Sequence, residues 1–253
     1  MPQDKSGQIV WHDLFSTDRQ RSMTFYERVA GWSFAVEHAT DFAWGGGQVD
    51  FVLAMLANEA GAGFIEAPKG MSGGWLAYAE VPNVDSASKY VEPLGGEVVR
   101  APFDVPGVGR NALVRDPLGA VVGISQSQHA FPIPARQFGN EIYLTGTSEF
   151  PTQFYSEVFG WSVSQPRDPQ RGGAVISSLS GKAVAHHLPG LSQTDVQASW
   201  VPCINVVDTA TALQAAEALD ASQLSKSVLE STGECRYLIR DPDGALFCPS
   251  AGG

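Results

Sequence analysis

The chain has 253 residues, with 27 acidic against 16 basic side chains and a net charge of −11. A field of that sign repels phosphate backbones and anionic lipid headgroups, so the composition argues against nucleic acid or a membrane surface as partner. With 43% hydrophobic and 17% charged residues, a globular protein with a sizeable core is predicted. No apolar run approaches the roughly 18 residues that span a bilayer, and three cysteines are too few for a disulfide framework, which indicates a cytoplasmic location.

Four apolar stretches at similar spacing predict the opening strands of four modules. They lie at residues 9–15, 75–81, 141–144 and 200–207. Each is followed by an amphipathic stretch of about twelve residues, which predicts a helix, and then by short β-rich runs. Each module is therefore predicted to be β-α-β-β-β.

The chain also contains an internal repeat. FYERVAGW at residues 25–32 returns as FYSEVFGW at residues 154–161, and RDPLGA at 115–120 returns as RDPDGA at 240–245. Motifs that recur in the same order, at offsets of 129 and 125 residues, indicate a duplicated unit. We therefore predict a first domain over residues 8–126, a linker over 127–137 and a second domain over 138–250.

Five residues in these patterns are predicted to have structural roles. Asp116 and Asp241 each begin an Asp-Pro-x-Gly sequence, which suits a type I turn that closes a hairpin better than it suits catalysis. Trp32 and Trp161 follow the glycine that ends a helix, so both are predicted to anchor the core. His12 alternates with the other face of its strand and is predicted to lie on the helix side of the sheet.

The FYxxVxGW helix and the DPxGA turn before the last strand resemble the vicinal-oxygen-chelate superfamily, which includes glyoxalase I, extradiol dioxygenases, and bleomycin- and fosfomycin-resistance proteins. The doubled arrangement resembles bacterial proteins with two tandem glyoxalase-like domains. The resemblance implies an α+β fold in which paired β-α-β-β-β modules form mixed, curled sheets. Each pair would make a cup, with the ligand inside.

Superfamily members that use a metal bind it at set positions on the cup. The resemblance places these positions at Trp11, Leu76, Gly123, Asn140, Val201 and Cys248. Most of these side chains cannot bind a metal, and Asn is a poor ligand for a divalent transition metal. We therefore predict no cofactor, and a divalent metal remains the alternative.

The first cup contains the stronger candidates for a binding site. Alternation puts Trp11, Asp13 and Phe15 on one face of the first strand, and Tyr78 and Glu80 on the matching face of the second module. We predict that these five residues bind the ligand. The two carboxylates could hold a hard cation, or one could act as a general base if burial raises its pKa, or both could simply hydrogen-bond the ligand.

The second cup offers a weaker set of candidates for a binding site. Its candidates are Asn140, Cys203, Asn205, Cys248 and His187. The thiols and the histidine could bind a soft metal, or the thiols could pack as hydrophobes.

We predict a small-molecule binding protein or a metal-independent enzyme whose partner is a small organic molecule. The alternatives are a metal-dependent lyase or ring-cleaving dioxygenase and an assembly module with filled cups. A homodimer is left open.

Overall fold

The computed structural model describes residues 5–40, 48–67, 69–70, 73–147, 149–164, 174–189, 197–228 and 235–251. The elements of the first half are β1 (Ile9–Ser16), α1 (Arg19–Ala30), β2 (Ser33–Thr40), β3 (Gln48–Leu56), β4 (Glu59–Glu66), β5 (Gly74–Glu80), α2 (Val84–Val91), β6 (Glu97–Val105), β7 (Gly109–Arg115) and β8 (Val121–Ser127). Its strands form one mixed sheet in the order β2-β3-β4-β1-β5-β8-β7-β6. The opening strands of the two modules, β1 and β5, pair antiparallel at the centre.

The second half repeats this order in two pieces. Its elements are β9 (Glu141–Thr145), α3 (Thr152–Phe159), β10 (Ser162–Ser164), β11 (Ala174–Ser177), β12 (Ala183–Pro189), β13 (Ser199–Val201), β14 (Cys203–Val206), α4 (Thr209–Ala218), β15 (Ser222–Val228), β16 (Cys235–Arg240) and β17 (Leu246–Ala251). The sheets run β10-β11-β12-β9-β13 and β14-β17-β16-β15. Pro202 separates β13 from β14, because proline cannot donate to a strand ladder. The α+β fold with mixed sheets is confirmed.

The helices begin and end where their sequences supply the required groups. Asp18 and Asp208 accept backbone N–H groups at the starts of α1 and α4, and Asn83 does so for α2. Gly31 and Gly160 end α1 and α3 in the left-handed conformation, with φ of 69° and 70°. Within the described ranges, no helix is long and apolar enough to cross a membrane.

The hydrophobic cores join the two halves of the chain. One core combines the second module with the third, and Val91 and Phe154 lie in it where α2 packs on α3. The other combines the first module with the fourth, and Phe64 and Phe247 lie in it near the packed pair α1 and α4. Each half therefore buries its helix faces against the other half, which leaves the opposite faces of the sheets to form the cups.

A pair of equivalent hydrogen bonds fastens the halves together. Tyr26 Oη donates to Asp241 Oδ2 at 3.0 Å, and Tyr155 Oη donates to Asp116 Oδ2 at 2.8 Å. The other oxygen of each aspartate accepts two backbone N–H groups within its own turn. The predicted turn role of both aspartates is confirmed, and each turn also holds the helix of the opposite half.

The histidine and the tryptophans lie where the sequence predicted. His12 is 4% exposed on the helix side of the sheet, hydrogen-bonds Glu141 across the halves at 2.8 Å, and stacks on Phe138. Trp32 and Trp161 are almost completely buried. Each stacks on the tyrosine of the preceding helix, with ring centroids 5.3 Å apart. Both tryptophans are core residues.

Candidate functional site

Strand alternation separates the cup face of the first sheet from its core face. On β1, His12 and Leu14 face the helices, while Phe15 lies on the cup side and packs with Leu76 and Tyr78. The antiparallel register of β1 and β5 brings these side chains together because paired residues point to the same side of a sheet. The cup thus has a continuous apolar floor.

Above this floor lies a cavity of about 530 Å³. Most of its wall is apolar, and the larger contributors are Trp11, Phe51, Leu53, Ile65, Val105 and Val108. Small-molecule sites are typically concave, mostly apolar and a few hundred Å³ in volume, with a few polar groups that orient the ligand. The first cup has this form.

Asp13 is the buried carboxyl group of the cavity. It is 6% exposed, and its Oδ1 accepts a hydrogen bond from Trp11 Nε1 at 3.0 Å. Burial raises the pKa of Asp13 to about 6, and hydrogen bonds from Trp11 and Tyr78 offset only part of that effect. The interaction with His12 also lowers the pKa of Asp13, by less than either hydrogen bond, so burial remains the dominant effect.

Three further polar side chains reach the same cavity from the opposite side. Asn111 on β7 and Ser125 on β8 are register partners, and both are buried. His129 follows β8, and burial lowers its pKa. Among the described residues, neither Asn111 Oδ1 nor His129 Nδ1 has a hydrogen-bond partner. These are polar atoms that a ligand could satisfy.

The remaining predicted first-cup residues have other positions. Phe15 is 9% exposed and lies in the apolar floor, below the residues that line the cavity. Glu80 accepts hydrogen bonds from Ser127 N and Ser127 Oγ at 2.9 and 2.7 Å. Its carboxylate therefore fixes the end of β8, whereas Trp11, Asp13 and Tyr78 line the cavity directly.

The segment between the halves forms part of the cavity wall, which sequence reasoning missed. Residues 131–134 line the cavity. Lys5 Nζ donates to the carbonyl oxygen of Phe131 at 2.6 Å, and Glu59 Oε1 accepts the backbone N–H groups of Ala135 and Arg136 at 2.9 and 3.0 Å. The predicted linker thus brings an apolar surface to the cup, and Pro132 and Pro134 are part of that surface.

The residues at the superfamily's metal positions do not fit a metal in this cup. These positions hold Trp11, Leu76 and Gly123, none of which offers a ligand atom suited to a metal. A Cβ atom added at Gly123 would lie 2.1 Å from the ring of Tyr78, so that ring occupies the space where a ligating side chain would begin. In the part of the chain that the structure describes, no three His, Cys, Asp or Glu side chains are arranged to hold a metal ion.

The corresponding face of the second half carries a buried cluster of Ile142, Leu144, Val201, Cys203, Leu238 and Cys248. Cys203 and Cys248 are register partners, and both are reduced cysteines. The neighbouring Cys248 thiol and burial raise the pKa of Cys203, which disfavours the thiolate that a metal would need. In this structure the two thiols pack as small hydrophobes.

Two other second-cup candidates, Asn140 and Asn205, lie near the segment between the halves. Asn140 lines a separate cavity of about 350 Å³ between the halves, which His12 also lines. Asn205 Nδ2 donates to the carbonyl oxygen of Arg136 at 3.1 Å, so it holds the segment between the halves. A Cβ atom added at Gly139, next to Asn140 in the chain, would lie 3.4 Å from Asn205 Oδ1 and 3.7 Å from Cys203 Cβ, so Asn205 and Cys203 lie side by side there.

His187 lies on the helix side of β12, contrary to our expectation. Its register partner is Tyr143, and its Nε2 is 3.0 Å from Thr145 Oγ1. Burial lowers the pKa of His187 to about 4. Since adjacent residues of a strand face opposite sides, it is His186 that shares the cup face with Ile142. Strand alternation allows only one of these two adjacent histidines on the cup face, and the register of β12 decides which.

Together, the fold and the first cup define an α+β protein of two halves, built from four β-α-β-β-β modules, with a ligand-sized cavity on the curled sheet of the first half. Residues 8–124 match the family model of the Glyoxalase/Bleomycin resistance protein/Dioxygenase superfamily. The first half of the chain thus belongs to this superfamily, and the second half repeats its module order. The resemblance predicted from the sequence is confirmed.

Named relatives cover nearly the whole chain. One relative is CFP32 of Mycobacterium tuberculosis, which is named as a glyoxylase. It is 29% identical to this chain over 96% of this chain and 94% of its own length. The anthracycline biosynthesis protein DauV of a Streptomyces species is 26% identical over 95% of this chain and 92% of its own. These matches extend the relationship to the second half.

Solved structures share the fold. The 2,3-dioxygenase LapB from Pseudomonas sp. KL28 has a TM-score of 0.60 at 14% identity, over 97% of this chain and 92% of its own. The Mn(II)-bound glyoxalase from Novosphingobium aromaticivorans has a TM-score of 0.58 at 13% identity, over 98% of this chain and 83% of its own. At such low identity the comparison establishes the fold alone, because one scaffold supports unrelated chemistries.

Proposed function

We propose that the first cup binds a small, planar organic molecule without a metal, either to sequester it or to transform it. The observation on which this depends is the cavity of about 530 Å³, whose walls are apolar and aromatic. Trp11 and Phe51 supply flat surfaces for stacking, and Asp13, Asn111 and Ser125 supply polar anchors.

The polar groups favour a neutral ligand that donates hydrogen bonds. Asp13 is an acceptor when ionised, and Asn111 Oδ1 offers a second acceptor atom. A buried anionic ligand would face the Asp13 carboxylate without a solvent layer between the two charges, which is unfavourable in a cavity of low polarity. A phenol or an alcohol on a planar ring system suits the cup better than a carboxylate on the same ring.

Two further considerations support this proposal. The relatives named for anthracycline biosynthesis are consistent with an organic small molecule as ligand. The side chains at the superfamily's metal positions support binding that needs no metal, since Trp11, Leu76 and Gly123 offer no suitable donor atoms. We place the protein in the cytoplasm, as its few cysteines suggest.

The proposal can be tested with a matched pair of planar probes, 2-naphthol and 2-naphthoate. We expect calorimetric titration near pH 7, with and without a chelator, to show one binding site for naphthol and binding at least about tenfold weaker for naphthoate. Leu53→Trp should abolish binding because the larger side chain fills the cavity. Leu179→Trp is the matched control, since Leu179 is 75% exposed and is not a cavity-lining residue.

Elemental analysis of the same protein, purified without chelator, separates the alternatives. About one equivalent of a divalent metal per chain, with probe binding lost when the metal is removed, would favour a metal-dependent lyase or ring-cleaving dioxygenase. Failure of both probes to bind, or equal binding to the wild type and the Leu53→Trp variant, would contradict the proposed site.

A further inference from the structure

Two cavities of the structure share a wall. The cavity of the first cup and the cavity of about 350 Å³ between the halves are both lined by Val10, Trp11, Ile133 and Pro134. A side chain that lines two cavities separates them by no more than its own thickness. The two spaces are therefore neighbours, divided by the start of β1 and by the segment between the halves.

A β-bulge at the start of β1 forms part of this wall. Ile9 pairs with Ala79 on β5, and the next pair is Trp11 with Tyr78. Val10 is therefore an extra residue on β1, which breaks the alternation of side chains. Val10 and Trp11 are neighbours in the chain, and yet both pack on the cup side. The bulge thus turns two adjacent side chains toward the same wall.

Beside the bulge, the pairing of β1 with β4 ends. The register of these two parallel strands begins at His12 and Ala62. Trp11 and Gly61 precede that pair, and both line the cavity between the halves. A Cβ atom added at Gly61 would lie 2.0 Å from Gln137 Oε1, so the glycine leaves room for the Gln137 side chain. The paired ladder thus ends where the two cavities meet.

Buried acceptor atoms lie beside the cavity between the halves. Gln137 is fully buried and its Nε2 donates to the carbonyl oxygen of Ala54 at 3.0 Å, whereas its Oε1, next to Gly61, has no hydrogen-bond partner among the described residues. Glu141 is also fully buried, and its Oε1 is 2.8 Å from Nε2 of His12, which lines the cavity. In the part of the chain that the structure describes, Glu141 Oε2 has no partner either. Because buried polar atoms normally have a partner, both atoms indicate a bound group that donates to them.

The two cavities differ in polarity. The wall of the first cup is mostly apolar and aromatic, whereas Gln8, Asn140 and Lys182 line the cavity between the halves together with His12. Lys182 Nζ donates to Gln8 Oε1 at 2.9 Å across the halves. A hydroxyl group can both donate and accept a hydrogen bond, so a set of hydroxyl groups suits a cavity that offers both kinds of partner.

We propose that the cavity between the halves is the second compartment of the ligand site, and that it binds a hydroxyl-rich substituent of the molecule whose planar ring lies in the first cup. The inference rests on the proposed binding function and deepens it, because it assigns a ligand class: an aromatic compound joined to a polyol, as in an aromatic glycoside. The ring would stack on Trp11, and the substituent would pass between Trp11 and Ile133. Its hydroxyl groups would donate toward Gln137 and Glu141.

Three probes that share one ring test the proposal: 2-naphthol, 2-naphthyl β-D-glucopyranoside, and the methyl-capped tri(ethylene glycol) ether of 2-naphthol. The ether has oxygen atoms along its chain and no hydroxyl group that could donate. In calorimetric titration near pH 7 with chelator present, the glucoside should bind at one site per chain and at least about tenfold more tightly than either other probe. Naphthol should compete with the glucoside, because the ring occupies the same cup.

Substitutions that fill one cavity assign the two compartments. Asn140→Trp fills the cavity between the halves, so it should weaken glucoside binding at least about tenfold and leave naphthol binding unchanged. Ala183→Leu adds a smaller group to the same cavity and should act in the same direction, which covers the case in which the tryptophan variant does not fold. Leu53→Trp fills the first cup and should abolish binding of both probes. Leu179→Trp is the matched control and should change neither.

Saturation-transfer NMR on the wild type gives a second measurement that needs no variant. The sugar protons of the bound glucoside should receive saturation comparable to that of its ring protons, because both parts of the ligand are enclosed by protein. Weak saturation of the sugar protons would place the sugar in solvent and would overturn the inference.

The outcomes separate the two proposals. If naphthol binds and the glucoside binds no more tightly than naphthol or the ether, the cavity between the halves holds ordered water only, the inference is overturned and the binding function stands. Glucoside binding equal to that of the wild type in the folded filling variants would have the same consequence. If naphthol also fails to bind, both proposals are overturned.

Discussion

Replacing Asp13 with asparagine removes a buried charge while keeping the shape of the side chain. Burial raises the pKa of Asp13 from 3.8 to about 6. A difference of about two pKa units between the folded and unfolded chain corresponds to about 3 kcal/mol, at 1.36 kcal/mol per unit. Because the folded-state pKa is the higher one, the ionised form disfavours folding. The neutral amide should therefore make the protein more stable at neutral pH.

The sign of this effect fixes its pH dependence. At about pH 3 and below, Asp13 is mostly protonated in both the folded and the unfolded state, so the wild type and the Asp13→Asn variant should have similar free energies of unfolding. As the pH rises from about 4 through 6, the wild type loses the stability associated with the proton on Asp13. The gap between the free energies of unfolding of the variant and the wild type should therefore grow to about 3 kcal/mol. The amide oxygen that Asp13→Asn introduces can still accept from Trp11 Nε1, so that hydrogen bond is not lost.

Urea unfolding at a series of pH values, followed by tryptophan fluorescence, measures the gap directly. The denaturant slope should be unchanged, because the substitution does not alter the surface exposed on unfolding. Asp220→Asn, on the surface, should show no comparable pH-dependent gain. A gap that stays constant with pH, or a variant less stable than the wild type near pH 7, would refute the assignment of Asp13 as a buried, destabilising carboxylate.

Three further substitutions test the packing. Tyr26→Phe should lower the free energy of unfolding by about 2 kcal/mol, because it leaves a buried oxygen of Asp241 without its donor. An unchanged midpoint in denaturant titration would argue against this link between the halves. Trp32→Ala should cost about 3–5 kcal/mol, and a melting temperature equal to that of the wild type would contradict its core position. Gly123→Ala should cost about 1–3 kcal/mol through overlap with the Tyr78 ring, and combining it with Tyr78→Ala should cost less than the sum of the two single changes.

The parts of the fold that depend on local pattern could be predicted from the sequence. The recurrence of FYxxVxGW and DPxGA established the duplication, and alternation along β1 correctly separated Asp13 from His12. The turn role of Asp116 followed from the conformational preferences of Asp, Pro and Gly within four residues. Each of these inferences concerns neighbours in the chain, where side-chain direction and backbone dihedral angles leave few choices.

The candidate site could be predicted only in part. Trp11, Asp13 and Tyr78 line the cavity, because strand direction alone points them into the cup. Glu80 comes from the same face, and yet its carboxylate is bound to Ser127 at the end of the strand. The direction of a side chain is a property of its strand, whereas its partner is set by whichever element packs beside it.

The tertiary structure alone decided how the modules combine. The sequence showed two equivalent halves, but the cores join the first module to the fourth and the second to the third, with Tyr26 bonded to Asp241 more than 200 residues away. The tertiary structure also showed that the segment between the halves forms a wall of the cavity, and that the Tyr78 ring fills the space beside Gly123. These contacts bring together residues far apart in the chain. Their partners are selected by which apolar faces can be buried together, and that selection leaves no mark in the spacing of either segment.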